Sequence, residues 1–80
     1  MEHILDVRTK EEFESGAVDG AINLPVEDIL AGVLPRLEKD TEIGVYCRSG
    51  GRSGVAKEAL ERQGFTHVTN LGGLGDVGLG

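Results

Sequence analysis

The sequence predicts an α/β fold, a small and mostly parallel sheet with flanking helices. Three observations predict it. Short apolar runs of β-forming residues alternate with segments of helical period, the connections between them are short, and glycine or proline punctuates most boundaries.

Ile4-Leu5-Asp6-Val7 reads as a first, buried strand. Thr9 is placed to cap a helix over Lys10 to Glu14, because its hydroxyl can accept a free first-turn amide; Glu12, three residues on, completes a capping box. Gly16 and Gly20 mark the end of that helix and a loop. Ala21-Ile22-Asn23-Leu24 reads as a second strand, stopped by Pro25, which has no amide for a ladder. Asn23 and Pro25 are expected to shape the turn there. Val26 to Leu30 predicts a short helix, and Leu34 with Leu37 predicts another turn past Pro35. Glu42-Ile43-Gly44-Val45-Tyr46 is the clearest strand. The clearest helix runs from Gly51 to Gln63, with the apolar period Val55, Ala56, Ala59 and Leu60. Its polar face offers Lys57 with Glu61 and Glu58 with Arg62 as i,i+4 pairs, and Gly64 is a natural stop. His67-Val68-Thr69-Asn70-Leu71 reads as the fourth strand. Residues 72–80 hold five glycines, a composition that predicts a loosely ordered tail or a truncated final element.

Eighty residues, 39% of them apolar and none tryptophan, form one small domain spanning 1–80 with a modest core. Fourteen acidic residues against eight basic ones give a net charge of −6, which argues against a nucleic-acid partner. No apolar run approaches a membrane span. The start, Met1-Glu2-His3-Ile4-Leu5, shows no leader pattern, and one cysteine cannot form an internal disulfide, so the expected compartment is the cytoplasm. A mature chain that had lost its leader would look the same. No Cys/His cluster has zinc spacing, so no metal or cofactor is expected, and His67 reads as a strand-edge residue.

The single cysteine, Cys47, lies where the third strand gives way to the long helix, in Val45-Tyr46-Cys47-Arg48-Ser49-Gly50-Gly51-Arg52-Ser53. In an open parallel sheet, ligands bind beyond the carboxyl ends of the strands. Everything at this junction favours a thiolate. Helix-start amides and the positive dipole end stabilise an anion, and Gly50-Gly51 lets successive amides turn into one concavity. A lone cysteine can be a small buried hydrophobe, but these neighbours point to a nucleophile. Arg52 reads as a loop residue; Arg48 contributes either its side chain or only its amide. Asp6 and Arg8 read as a structural pair near the site.

These segments together resemble the rhodanese family of sulfurtransferases, in particular its small single-domain members. Asp6-Val7-Arg8 is similar to the family's first-strand motif. Glu11-Glu12-Phe13, Gly16 and Gly20-Ala21-Ile22-Asn23-Leu24-Pro25 are similar to its next signature. Cys47 to Ser53 resembles its active-site loop, and Gly64-Phe65 with Asn70-Leu71-Gly72-Gly73 resembles its close. The chain departs from the family pattern at Ala17, where a histidine is common, and after Gly73, where an aromatic residue and a final helix usually follow.

The resemblance implies sulfur relay. Cys47 would take the outer sulfur of a thiosulfate-like donor as a persulfide, held by the amides of Arg48 to Ser53, and pass it to cyanide, a thiol or a protein acceptor. Arg48 and Arg52 would attract the donor and steady the departing sulfite. A monomer is expected. Two other classes compete: a binding or sulfur-carrier module serving a protein partner, and a phosphatase or arsenate reductase on a similar anion loop. Cysteine-dependent phosphatases place one more residue between nucleophile and arginine than the four that separate Cys47 from Arg52. The shorter loop suits one sulfur atom better than a phosphate ester.

Overall fold

In the computed structural model, which describes residues 3–77, four strands form one parallel sheet. The elements in chain order are β1 (His3–Asp6), α1 (Lys10–Glu14), β2 (Ile22–Asn23), α2 (Val26–Leu30), β3 (Ile43–Cys47), α3 (Gly51–Arg62) and β4 (Val68–Gly73). A 3-10 turn over Leu74–Val77 follows. The strand order is β2-β1-β3-β4. The chain therefore leaves β1 to one side and β3 to the other, which makes the β1/β3 boundary the switch point where such sheets open a crevice.

Strand parity sorts the side chains. Leu5, Val7, Ile43, Val45 and Cys47 alternate onto one face and join Ile29 of α2, Ala56 and Leu60 of α3, and Phe65 and Val68 in a single buried core. Asp6 and Tyr46, paired in register across β1 and β3, point to the other face. The same alternation that buries Val45 thus aims the Cys47 side chain toward the start of α3.

The helix ends carry the chemistry their residues suggest. Thr9 Oγ1 accepts the Glu12 amide while Glu12 Oε1 accepts the Thr9 amide, a complete capping box. Gly64, at φ +103°, ends α3. Its amide donates to Glu61 O and that of Phe65 to Leu60 O, the two bonds of a Schellman motif whose flanking pair, Phe65 and Leu60, is buried.

Several expectations are corrected. No helix forms past Pro35; residues 33–38 run as bends and irregular backbone. Leu34 and Leu37 instead pack against the core from an irregular segment. Only Ile22 and Asn23 of the second apolar run pair with β1. His67 precedes β4 rather than lying in it, and among the described residues Lys57–Glu61 is the α3 pair that forms, at 2.8 Å. The glycine-rich end is also more regular than its composition predicts: β4 continues through Gly73, and the 3-10 turn follows. Residues 78–80 of that segment, like the start at Met1-Glu2, lie outside the described residues.

Candidate active site

β3 ends on Cys47, and the chain then turns sharply into α3. Gly50 makes the turn possible: it takes φ +100°, a conformation only glycine adopts without strain, and a Cβ there would also meet Gly72 Cα at 3.6 Å. The turn brings the Gly50 amide back onto the Cys47 sulfur, donating to Sγ at 2.9 Å. Ser53 Oγ lies 3.5 Å from the same sulfur. Cys47 is 1% exposed, so its sulfur forms the floor of the loop, while Arg48, Ser49 and Gly51 form an exposed rim.

Burial pushes the Cys47 thiol up. The Ser53 hydroxyl, the Ser53 amide, and the amides of Ser49 and Gly50 pull the other way and prevail, so the thiol titrates below its ordinary value. The Gly50 amide is thus turned inward onto the sulfur. The sulfur is buried, yet the turn closes on it instead of splaying away.

β4 braces the loop from the other side. Ser49 makes an isolated antiparallel bridge with Gly73, and the Leu74 amide donates to Arg48 O at 3.4 Å. This approach requires a residue without a side chain, because a Cβ on Gly73 would lie 2.5 Å from Arg48 O. The register shift between Val45 and Tyr46, opposite Asn70 and Gly72, gives β4 the extra residue it needs to follow the loop.

The arginines divide. Arg48 is exposed, its carbonyl serving β4. Arg52 directs its guanidinium to Glu12 of α1, Nη1 to Oε1 at 2.7 Å and Nη2 to Oε2 at 3.0 Å. The pairing holds the Glu12 carboxyl down at about 2 and raises Arg52.

Asp6 and Arg8 form a buried ion pair. Arg8 Nε bonds Asp6 Oδ1 at 2.9 Å and Oδ2 at 3.1 Å, Arg8 Nη2 bonds Oδ2 at 2.6 Å, and both residues are buried. Arg8 Nη2 also donates to Gly16 O at 2.7 Å. Tyr46 is the member the sequence reading missed. Its hydroxyl donates to Asp6 Oδ2 at 2.7 Å and accepts the Val18 amide at 3.0 Å, so it ties the loop after α1 to the residue beside Cys47. Burial opposes the Asp6 charge, but the Arg8 and Tyr46 bonds prevail and hold its carboxyl below the ordinary value. Asn23 fastens the same corner, its Nδ2 donating to Asp6 O and Arg8 O, both at 3.0 Å. Asn70, read in the sequence only as part of the closing Asn70-Leu71-Gly72-Gly73 motif, also reaches the loop, its Oδ1 accepting the Ser53 hydroxyl at 2.6 Å.

The family model described as Rhodanese-like domain matches residues 1–76. The chain belongs to this rhodanese-like family. It is 42% identical to the thiosulfate sulfurtransferase PspE of Escherichia coli (strain K12) over 98% of its own length and 76% of that protein. The solved structure of a rhodanese with anions from E. coli superposes with a TM-score of 0.84 at 41% identity, covering all of this chain and 95% of the other. YrkF of Bacillus subtilis (strain 168), named as a candidate sulfur carrier, is 36% identical over 86% of this chain, which spans 37% of YrkF. The four-stranded parallel sheet and its helices are thus those of a rhodanese-like domain, as the sequence motifs imply. Among the described residues, no group of His, Cys, Asp and Glu could hold a metal ion, and no helix is long and apolar enough to cross a membrane.

Proposed function

We propose that this rhodanese-like domain moves a sulfane sulfur from an anionic donor to a nucleophilic acceptor through a persulfide on Cys47. One observation carries the reading: the Cys47 sulfur accepts the Gly50 amide at 2.9 Å at the start of α3, inside a loop whose other amides also favour its anion. The thiolate attacks the outer sulfur of a thiosulfate-like donor. A Cys47 S–S bond forms, the donor's S–S bond breaks, and sulfite leaves with the electron pair. Cyanide or a thiol then attacks the outer sulfur, forming thiocyanate or a new persulfide, and Cys47 departs as the thiolate it began as. This reading calls for no separate general base, because the Gly50 amide and its neighbours favour the thiolate.

The loop amides of Arg48 to Ser53 hold the transferred sulfur, and the exposed Arg48 meets the donor's charge at the rim. Arg52 serves chiefly by bracing, since its guanidinium is committed to Glu12. A sulfur on the floor of a tight loop suits a donor that presents one terminal atom, and disfavours a phosphate ester. The domain acts as a monomer in the cytoplasm, where a lone cysteine stays reduced between cycles.

Steady-state assay with thiosulfate and cyanide tests the reading. Thiocyanate formation that is lost in Cys47→Ser, with no turnover of an aryl phosphate, is the expected result; phosphate release instead would overturn it. YrkF supports a second reading, a carrier loaded by a protein persulfide. Weak thiosulfate saturation together with fast loading from such a protein would select it.

A further inference from the structure

The Ser53 hydroxyl is buried and has one proton, but four acceptors stand around it. Asn70 Oδ1 lies at 2.6 Å, Gly50 O at 3.0 Å, and Gly72 O and Cys47 Sγ both at 3.5 Å. Gly50 O has other donors, the Gly54 amide at 3.1 Å and Asn70 Nδ2 at 3.3 Å. At 3.5 Å Gly72 O is beyond ordinary O–H···O reach while the larger sulfur is within its own, so the contest for the proton is between Asn70 and the sulfur.

The orientation of the Asn70 carboxamide is fixed by its partners. Its nitrogen must face Gly50 O, and its oxygen must face the Gly72 amide, which donates to Oδ1 at 2.9 Å. Oδ1 can only accept, so the 2.6 Å contact requires Ser53 to be the donor. In that state Ser53 offers the sulfur only a lone pair, which suits a neutral thiol. A thiolate is served only if the hydroxyl turns away from Asn70.

We propose that Asn70 is a positioning residue for Cys47, acting through the Ser53 hydroxyl as a two-position donor. The proton points to Sγ while the sulfur is a free thiolate. It returns to Asn70 Oδ1 once Sγ is capped by a second sulfur and becomes a poor acceptor. Asn70 thereby tempers the thiolate and offers the hydroxyl a partner in the loaded state. The proposal rests on Cys47 being the working sulfur, but its test does not require turnover.

The test is a titration of Cys47, followed by thiolate ultraviolet absorbance, in the intact chain and in Asn70→Ala, Asn70→Asp, Ser53→Ala and Ser53→Ala/Asn70→Ala. The charged groups nearest the loop are Arg48 on the loop itself, Arg52 on α3 with Glu12 on α1, the buried Asp6–Arg8 pair beside Tyr46, and Asp76, whose carboxylate accepts the Gly73 amide at 2.8 Å; Lys57, Glu58, Glu61 and Arg62 lie further along α3. All remain in every variant. Asn70→Ala frees the hydroxyl for the sulfur and lowers the midpoint by roughly half to one unit, the size of one exchanged hydrogen bond. Asn70→Asp raises it, because a carboxylate holds the proton more firmly and adds negative charge. In the Ser53→Ala background, removing Asn70 has no further effect. A brace that merely shapes the loop predicts the opposite sign, since loosening the amides would raise the midpoint. A rise in Asn70→Ala, or an equal shift without Ser53, overturns the proposal. Sulfur uptake without the coupling sinks only this inference, whereas the coupling without sulfur uptake sinks only the transfer reading.

Discussion

Arg52, the second residue of α3, is locked to Glu12 of α1 through two parallel bonds of 2.7 and 3.0 Å, and Glu12 is the same residue that closes the capping box on Thr9. A helix start far away in the sequence is thereby fastened to the loop around the cysteine. The pair is partly exposed, 37% for Arg52 and 26% for Glu12, so water screens it and the large displacement of the Glu12 pKa overstates its worth.

Glu12→Gln keeps a side chain able to cap α1 but loses the charge. It is expected to lower stability by about 1 kcal/mol at neutral pH. Because Glu12 titrates at about 2 when folded, below its ordinary 4.5, the contribution is present above pH 4.5 and is lost as pH falls through 2. Urea denaturation of both proteins across that range checks it, with the two curves converging at the acid end.

Gly73→Ala puts a methyl group 2.5 Å from Arg48 O and 3.1 Å from Ser49 Cα, both backbone atoms that cannot swing aside. The loop or β4 must shift. The expected cost is about 1–3 kcal/mol in stability, with a loss of about tenfold or more in sulfur transfer, because the ring of amides moves off the sulfur. Gly75→Ala, where a Cβ meets nothing within 4 Å, serves as the control and should change neither.

Much of this was legible in the sequence because local rules decided it. Thr9 with Glu12, Gly64 after α3, and Cys47 before Gly50-Gly51 each announce a local structure whose geometry involves only near neighbours in the chain. What stayed hidden depends on pairings across the sheet. Nothing in Tyr46 itself says that its hydroxyl meets Asp6, forty residues away, nor that Asn70 reaches Ser53; both follow from the β1–β3 and β3–β4 registers. Residues 34–37 misled for a related reason. Leucines three apart suit a helix, but they also suit an irregular segment draped over a core, which is the form they take.

Tyr46→Phe retains the ring and removes the oxygen that joins Asp6 to the Val18 amide. Stability should fall by about 1–3 kcal/mol, since a buried carboxylate loses a donor and an amide loses its acceptor. Asp6→Ala should cost more, about 3–5 kcal/mol, because it strands the buried Arg8 guanidinium. Thermal or urea unfolding measures both, and an order of losses reversed from this would show that the pair is not the centre of the network.

The lowered Cys47 pKa predicts alkylation that stays fast below the pH where an ordinary thiol slows. The folded chain releases this proton at a lower pH than the unfolded chain. Stability therefore rises with pH between the two values, and the gain is lost as pH falls through the folded one. Iodoacetamide rates against pH give the midpoint directly. A midpoint at or above the ordinary thiol value of about 8.5 would mean that burial outweighs the loop.

The central claim is that Cys47 is a sulfur able to take and hold another sulfur, and intact-mass spectrometry after incubation with thiosulfate tests it most directly. The account predicts a gain of one sulfur atom, removed by cyanide and absent in Cys47→Ser. An unchanged mass under conditions where iodoacetamide still modifies Cys47 would contradict it.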